Sequence, residues 1–166
     1  MTLSLRPATP ADAPVLHSAL RRLGDHLGTA ANIASTPDDL ATHGLAPGRA
    51  FEGLIAEVDG RFAGMCLYLK IFSTWLGRPG IYVQDLYVEA EFRGLKIGER
   101  LLARVATLAR ADGATHLRLA VDDDNLAAQS FYARIGIDHY PTDRIHAAYG
   151  DAFANLCDRD ETGDQT

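Results

Sequence analysis

The chain has 166 residues, 47% of them hydrophobic, and carries 16 Lys and Arg against 22 Asp and Glu for a net charge of −6. That length suits one domain with a sizeable core, and the acidic balance argues against a nucleic-acid binder that works by neutralising phosphates. No apolar run reaches membrane-spanning length, MTLSLRPATP is no signal peptide, and Cys66 and Cys157 stand in no metal-ligand spacing, so a cytoplasmic protein with reduced thiols is expected.

TLSLRPA (2–8) alternates and predicts a first strand. Thr9-Pro10 then opens a helix, with Thr9 able to accept a backbone N–H as N-cap and Pro10 suited to the first helical position. Val15, Leu16, Ala19, Leu20 and Leu23 recur at helical spacing, with Arg21, Arg22 and Asp25 on the other face. Thr36-Pro37 opens a shorter helix around DDLATHGL. FEGLIAEV, Asp59-Gly60 and RFAGMCLYLKIF predict a hairpin, because both residues of an Asp-Gly turn tolerate positive φ. GIYVQDLYV (80–88) is nearly all apolar and predicts a central strand. Ile97, Leu101, Leu102, Val105, Leu108 and Ala109 form the apolar stripe of the next helix, which Gly113 ends. THLRLAV predicts a strand and LAAQSFYARIG a helix. Two short strands are expected around 137–140 and 144–149. The sum is an α/β (α+β) domain over 1–157, one mixed and mostly antiparallel sheet flanked by helices, with a polar, frayed tail at 158–166.

The connection EFRGLKIGERLL (91–102) joins a strand to a helix through an Arg-Gly turn. A helix start exposes unpaired N–H groups and partial positive charge. Gly94 lets backbone approach a ligand, and Arg93 and Lys96 add cations, so the turn suits a pyrophosphate. It is neither a G-x-x-x-x-G-K-[ST] loop nor a G-x-G-x-x-G fingerprint. An ordinary connection with solvated basic residues fits the dodecamer equally well.

Three segments in order decide between these: the strand QDLYV (84–88), the turn RGLKIG (93–98), and NLAAQSFYARIG (125–136). Together they resemble the GCN5-related N-acetyltransferase (GNAT) superfamily, the last two matching its pyrophosphate turn and its N-x-x-[AS]-x-x-[FL]-Y-x-x-x-G helix. STWLGRPGIYVQDLYV (73–88) is similar to the diamine (spermidine/spermine) acetyltransferase-like branch. The resemblance implies an acyl-CoA acyltransferase fold and acetyl-CoA as co-substrate. It places Leu86, Tyr87 and Val88 beside the pantetheine arm and Arg93, Gly94, Leu95, Lys96, Ile97, Gly98 and Glu99 around the pyrophosphate. It sets Asn125 and Ala128 near the pantetheine, and Tyr132 as the acid that protonates the departing thiolate. An amine would attack the thioester directly through a tetrahedral intermediate, with a backbone N–H such as that of Leu86 holding the oxyanion. The implied substrate is the primary amine of a small molecule, polyamine-like or amino-acid-like, with no metal, nucleic acid or membrane partner and a homodimeric state. Other readings are acetylation of a protein N-terminus or lysine, and a CoA-binding regulatory module without turnover.

Two positions depart from the family pattern. Lys96 stands where the pyrophosphate turn has Gly; a positive φ there would cost a lysine on the order of 1 kcal/mol, and a first-turn helical conformation is the alternative. Gln84 stands where the polyamine enzymes carry the first acid of a pair, which leaves Asp85 as the candidate catalytic carboxylate, with a water chain or bulk solvent as other routes for the amine proton. Neighbours on a regular strand face opposite ways, so Asp85 replaces Gln84 only if a bulge lies there. The six histidines form no ligand set, and Asp122 to Asp124 complement a helix dipole. Trp75 is equally suited to an amine pocket and to packing, and Glu52, Tyr68 and Tyr140 are placed at the border of the acceptor pocket.

Overall fold

A computed structural model of the protein describes residues 1–161, which divide into two compact units at Asp122/Asp123. The first unit holds one five-stranded sheet. Its strands are β1 (Leu3–Pro7), β2 (Glu52–Val58), β3 (Arg61–Ser73), β4 (Arg78–Val88) and β5 (Leu117–Leu119), in the order β1-β2-β3-β4-β5. Neighbours are antiparallel except β4 and β5, which run parallel. The expected mixed, mostly antiparallel sheet with flanking helices is therefore what forms. Asp59 (φ 48°) and Gly60 (φ 78°) turn the β2–β3 hairpin, since both central positions of this turn are left-handed.

Helix α1 (Ala13–Leu27) lies on one face of the sheet. Its Ala13, Leu16 and Ala19 pack with Ile55, Met65, Leu67 and Tyr87 in one buried cluster. Gly28 ends it in the left-handed conformation. A tight turn at Pro10–Asp12 precedes it. Thr9 is the N-cap of this turn and forms a capping box with Asp12, whose carboxylate accepts from both the Thr9 N–H and the Thr9 hydroxyl at 2.8 Å. A one-turn helix α2 (Pro37–Asp39) widens into a π-type turn at Leu40–Gly44.

Helix α3 (Ile97–Ala111) covers the opposite face, with Ile97, Leu101, Leu102, Val105 and Ala109 buried. Leu67 belongs to the α1-side cluster, while Tyr68 shares a cavity with Leu108 of α3, as alternation along a strand requires. Gly113 (φ 89°) follows the end of α3.

The second unit contains α4 (Leu126–Arg134) and α5 (Asp151–Glu161). The strands expected at 137–140 and 144–149 do not form. Pro141 lacks a ladder donor, and Asp143 N–H turns back to Tyr140 O at 3.5 Å, so the segment offers no continuous edge. Helix α5 was not expected. It covers 158–161 of the segment read as a frayed tail, and 162–166 lie outside the described residues.

Candidate active site

The site is built around an irregularity in β4. Glu89 N–H donates to Ala63 O (3.0 Å), toward β3, whereas Ile81 N–H donates to His116 O (3.0 Å), toward the β5 side. Residues eight apart on a regular strand would point their amides the same way. One residue must therefore be inserted between them, and the register shows where. Leu67 faces Asp85 but Tyr68 faces Val83, so Gln84 is the extra residue of a β-bulge.

Two consequences follow. Counting back from Glu89, the amides of Leu86 and Val88 point away from β3. On that side β5 pairs only with Ile81–Val83, so β4 from Gln84 to Val88 borders an opening with no partner strand among the described residues. The side chains also change parity. Val83 shares the face of Tyr68, the α3 side, while Asp85 shares the face of Leu67, the α1 side. Gln84 itself is exposed. The bulge that the departure at Gln84 demanded is present, and it sends Asp85 toward α1.

There Asp85 lines a cavity of about 410 Å³ with Leu20, Leu23, Gly24, Leu27 and Ile33. Burial pushes its carboxyl up to about 6. The wall formed by residues 29–35 is pinned to α1: Thr29 N–H donates to Gly24 O (2.8 Å), and His17 Nε2 lies 2.6 Å from Ser35 O. The α1 side of this cavity was not read from the sequence. Its signal was the apolar stripe of α1 running on to Leu27, with Ile33 close behind. Further along β4, Tyr87 is buried under the Arg22 guanidinium (5.8 Å) and its hydroxyl donates to Glu89 (3.0 Å).

The turn after β4 carries the other half of the site. Arg93 Nε donates to Val88 O (3.2 Å), tying the turn to the strand. Gly94 takes φ 82°. Lys96 takes φ 58°, not the helical conformation that would suit it, at a cost of about 1 kcal/mol for a residue with a Cβ. Its carbonyl accepts the first helical bond, from Arg100 N–H (3.0 Å), so the amides of Ile97, Gly98 and Glu99 form the open end of α3. Leu95 and Glu99 are exposed and Ile97 and Gly98 buried. Open amides, the positive dipole end and two exposed cations fit a pyrophosphate, and the β4/β5 opening beside Leu86 fits an extended arm leading from it.

In the second unit, Asn125 caps α4 by accepting from Ala128 N–H (3.1 Å), and Tyr132 packs edge-on against Phe131 with ring centroids 5.1 Å apart. Other candidates fall elsewhere. Glu52 and Tyr68 are bonded to each other (2.9 Å) and line a separate cavity of about 180 Å³ that Asp85 does not reach, because Tyr68 follows Leu67 on β3 and so points to the opposite face. Tyr140 is exposed, and Trp75 is 99% exposed, so within this chain it neither lines the cavity nor packs. Among the described residues no group of three or more His, Cys, Asp or Glu is placed to hold a metal, and no helix is long and apolar enough to cross a membrane.

Comparison with known proteins agrees with this geometry. The model of the acetyltransferase (GNAT) family matches residues 25–137. A thialysine N-epsilon-acetyltransferase from Sus scrofa is 32% identical over 140 residues, which is 80% of this chain and 82% of that one. The human spermidine/spermine N(1)-acetyltransferase-like protein 1 is 25% identical across 80% of this chain and 20% of its own length. An integron cassette protein from the V. cholerae mobile metagenome superposes with a TM-score of 0.79 over 95% of this chain and 98% of that one, at 18% identity. With the bulged β4, the β4/β5 opening and the open end of α3 all in place, the chain belongs to the GNAT acetyltransferase family and is an N-acetyltransferase.

Proposed function

We propose that the protein transfers the acetyl group of acetyl-CoA to the primary amine of a small molecule. One observation carries this: the bulge at Gln84, which turns the Leu86 amide into the β4/β5 opening and the Asp85 carboxyl into the cavity under α1. The thialysine and polyamine acetyltransferases among its relatives support a small amine as acceptor.

Acetyl-CoA supplies an activated acyl thioester. The amides of Ile97, Gly98 and Glu99, with Arg93 and Lys96, hold its pyrophosphate, and Leu86, Tyr87 and Val88 border its arm, with Asn125 and Ala128 assigned beside it on the motif. As the amine nitrogen bonds to the carbonyl carbon, Leu86 N–H donates to the oxygen that gains charge. The C–S bond breaks, sulfur keeps the electron pair, and the Tyr132 hydroxyl, assigned on the motif alone, donates to it. A phenol near 10 and a thiol near 8.5 make that a mild uphill transfer or a hydrogen bond. The amine proton leaves on the other side. An alkylammonium near 10.4 is too weak an acid for a carboxylate near 6 to keep its proton, so Asp85 holds the cation and relays the proton to water. Homodimerisation is part of the reading, supported by the exposed Phe72, Trp75 and Leu76 at the β3–β4 hairpin.

The test is CoA release from acetyl-CoA, followed with a thiol-reactive dye, with and without amines. Amine-dependent release is expected, cut tenfold or more in Tyr132→Phe. Release untouched by that substitution would remove Tyr132 as the acid. No release with any amine, in folded protein, would refute turnover, and titration with CoA would then show whether a binding module remains.

A further inference from the structure

The cavity that receives Asp85 also says what kind of amine it takes, if the acetyltransferase reading of that site holds. Among the described residues Asp85 is the single charged side chain in its lining. Four of the others, Leu20, Leu23, Leu27 and Ile33, are large aliphatic groups. Thr29, Asn32 and Ser35 are polar but uncharged.

Each class of amine makes a different demand on such walls. A diamine or polyamine brings two or more ammonium groups. The first pairs with Asp85, and every further one entering the cavity would lose its water against leucine and isoleucine with no second carboxylate to meet it. An amino acid brings a carboxylate beside its side-chain amine, and no Lys, Arg or His lines the cavity to receive it. A monoamine on an uncharged carbon skeleton meets both conditions: one ammonium for one acid, and methylene or aromatic carbon for the aliphatic wall. A hydroxyl on that skeleton is accommodated by Thr29, Asn32 or Ser35.

We infer that the acceptor is a primary monoamine on an apolar, otherwise uncharged skeleton, held by Asp85 at the ammonium and by Leu20, Leu23, Leu27 and Ile33 along the carbon chain. Selectivity is thus set by α1 and the segment after it.

The experiment compares kcat/KM for hexylamine and 2-phenylethylamine with that for putrescine, spermidine, lysine and thialysine, at saturating acetyl-CoA. The apolar monoamines are expected to lead the charged group by tenfold or more. Leu27→Glu is measured beside the wild type. Leu27 is 37% exposed at the end of α1, so a carboxylate there stays hydrated while facing the cavity. It should move the putrescine-to-hexylamine ratio at least fivefold toward putrescine. Polyamines or amino acids used as well as hexylamine by the wild type would overturn the inference and leave the acetyltransferase standing. An unchanged ratio in Leu27→Glu would overturn the assignment of this cavity. Silence with every amine would overturn the acetyltransferase reading and this inference with it.

Discussion

At the scale of single residues, Asp85 is where chemistry and environment oppose each other most. A carboxylate aimed into an aliphatic cavity loses hydration, and its pKa rises to about 6. On the proposed role, its ionised form in the free enzyme is the one that attracts an ammonium, so kcat/KM for the amine should climb as pH rises through about 6. A second rise toward 10 should follow as the amine itself loses its proton. Asp85→Asn should abolish the first rise and lower kcat/KM by about 100-fold near neutrality, with KM for acetyl-CoA little changed. Retention of the limb near pH 6 in Asp85→Asn would assign it to another group. The sequence showed this carboxylate and its uncharged neighbour Gln84, but which of them faces the acceptor depends on strand parity. A bulge has no residue signature that Gln84 or Asp85 could supply. At Lys96 the choice between positive φ and a first-turn helical conformation is open in the sequence for a related reason: a lysine prefers φ < 0, and the closure of the turn between β4 and α3 sets φ 58°.

At the scale of elements, the parts that position the site were the legible ones where periodicity is strong. The α1 and α3 stripes, the Asp-Gly hairpin and the three motif segments all produced the elements expected of them. The cavity was not legible, because it lies where α1 meets the chain after it. Gly24 governs that meeting. A Cβ there would come within 2.8 Å of Ala30 Cα and of Ile33 Cδ1, closer than real contacts allow, so α1 and the 30–33 segment touch backbone to backbone. Gly24→Ala gains helix propensity of about 1 kcal/mol but must displace that segment. The expected outcome is near-wild-type folding with KM for the amine raised severalfold and KM for acetyl-CoA unmoved, read from steady-state kinetics with each substrate varied in turn. Equal effects on both KM values would mean that the 30–33 segment does not shape the acceptor cavity alone.

At the scale of the whole molecule, the C-terminal region shows what sequence pattern cannot carry. RIHAAYG (144–150) has enough β-branched and aromatic character to suggest a strand, but a strand needs an edge, and in the described residues nothing after Leu119 joins the sheet. Helix α5 did carry signals: Gly150 at φ 53° before it, Asp151 in its first turn, and Phe153, Leu156 and Cys157 at helical spacing. The dominance of acids after Cys157 concealed them. Global stability should in turn carry the imprint of Asp85. Its pKa is higher folded, about 6, than the ordinary 3.8, so between those values the folded state binds more protons than the unfolded one, and stability falls as pH rises. The loss is complete above about pH 6 and is on the order of 2 kcal/mol after allowance for partial hydration. Asp12 acts in the opposite sense. Arg6 holds it down to about 2, so its contribution is present above 3.8 and lost only in acid. Denaturant melts at pH 5, 6 and 7.5 should therefore show the wild type weakening across the series and Asp85→Asn holding nearly level, with the variant the more stable of the two at pH 7.5. Parallel curves would mean that Asp85 is hydrated in the folded protein, and the carboxylate would then lack the environment on which its role toward the amine rests.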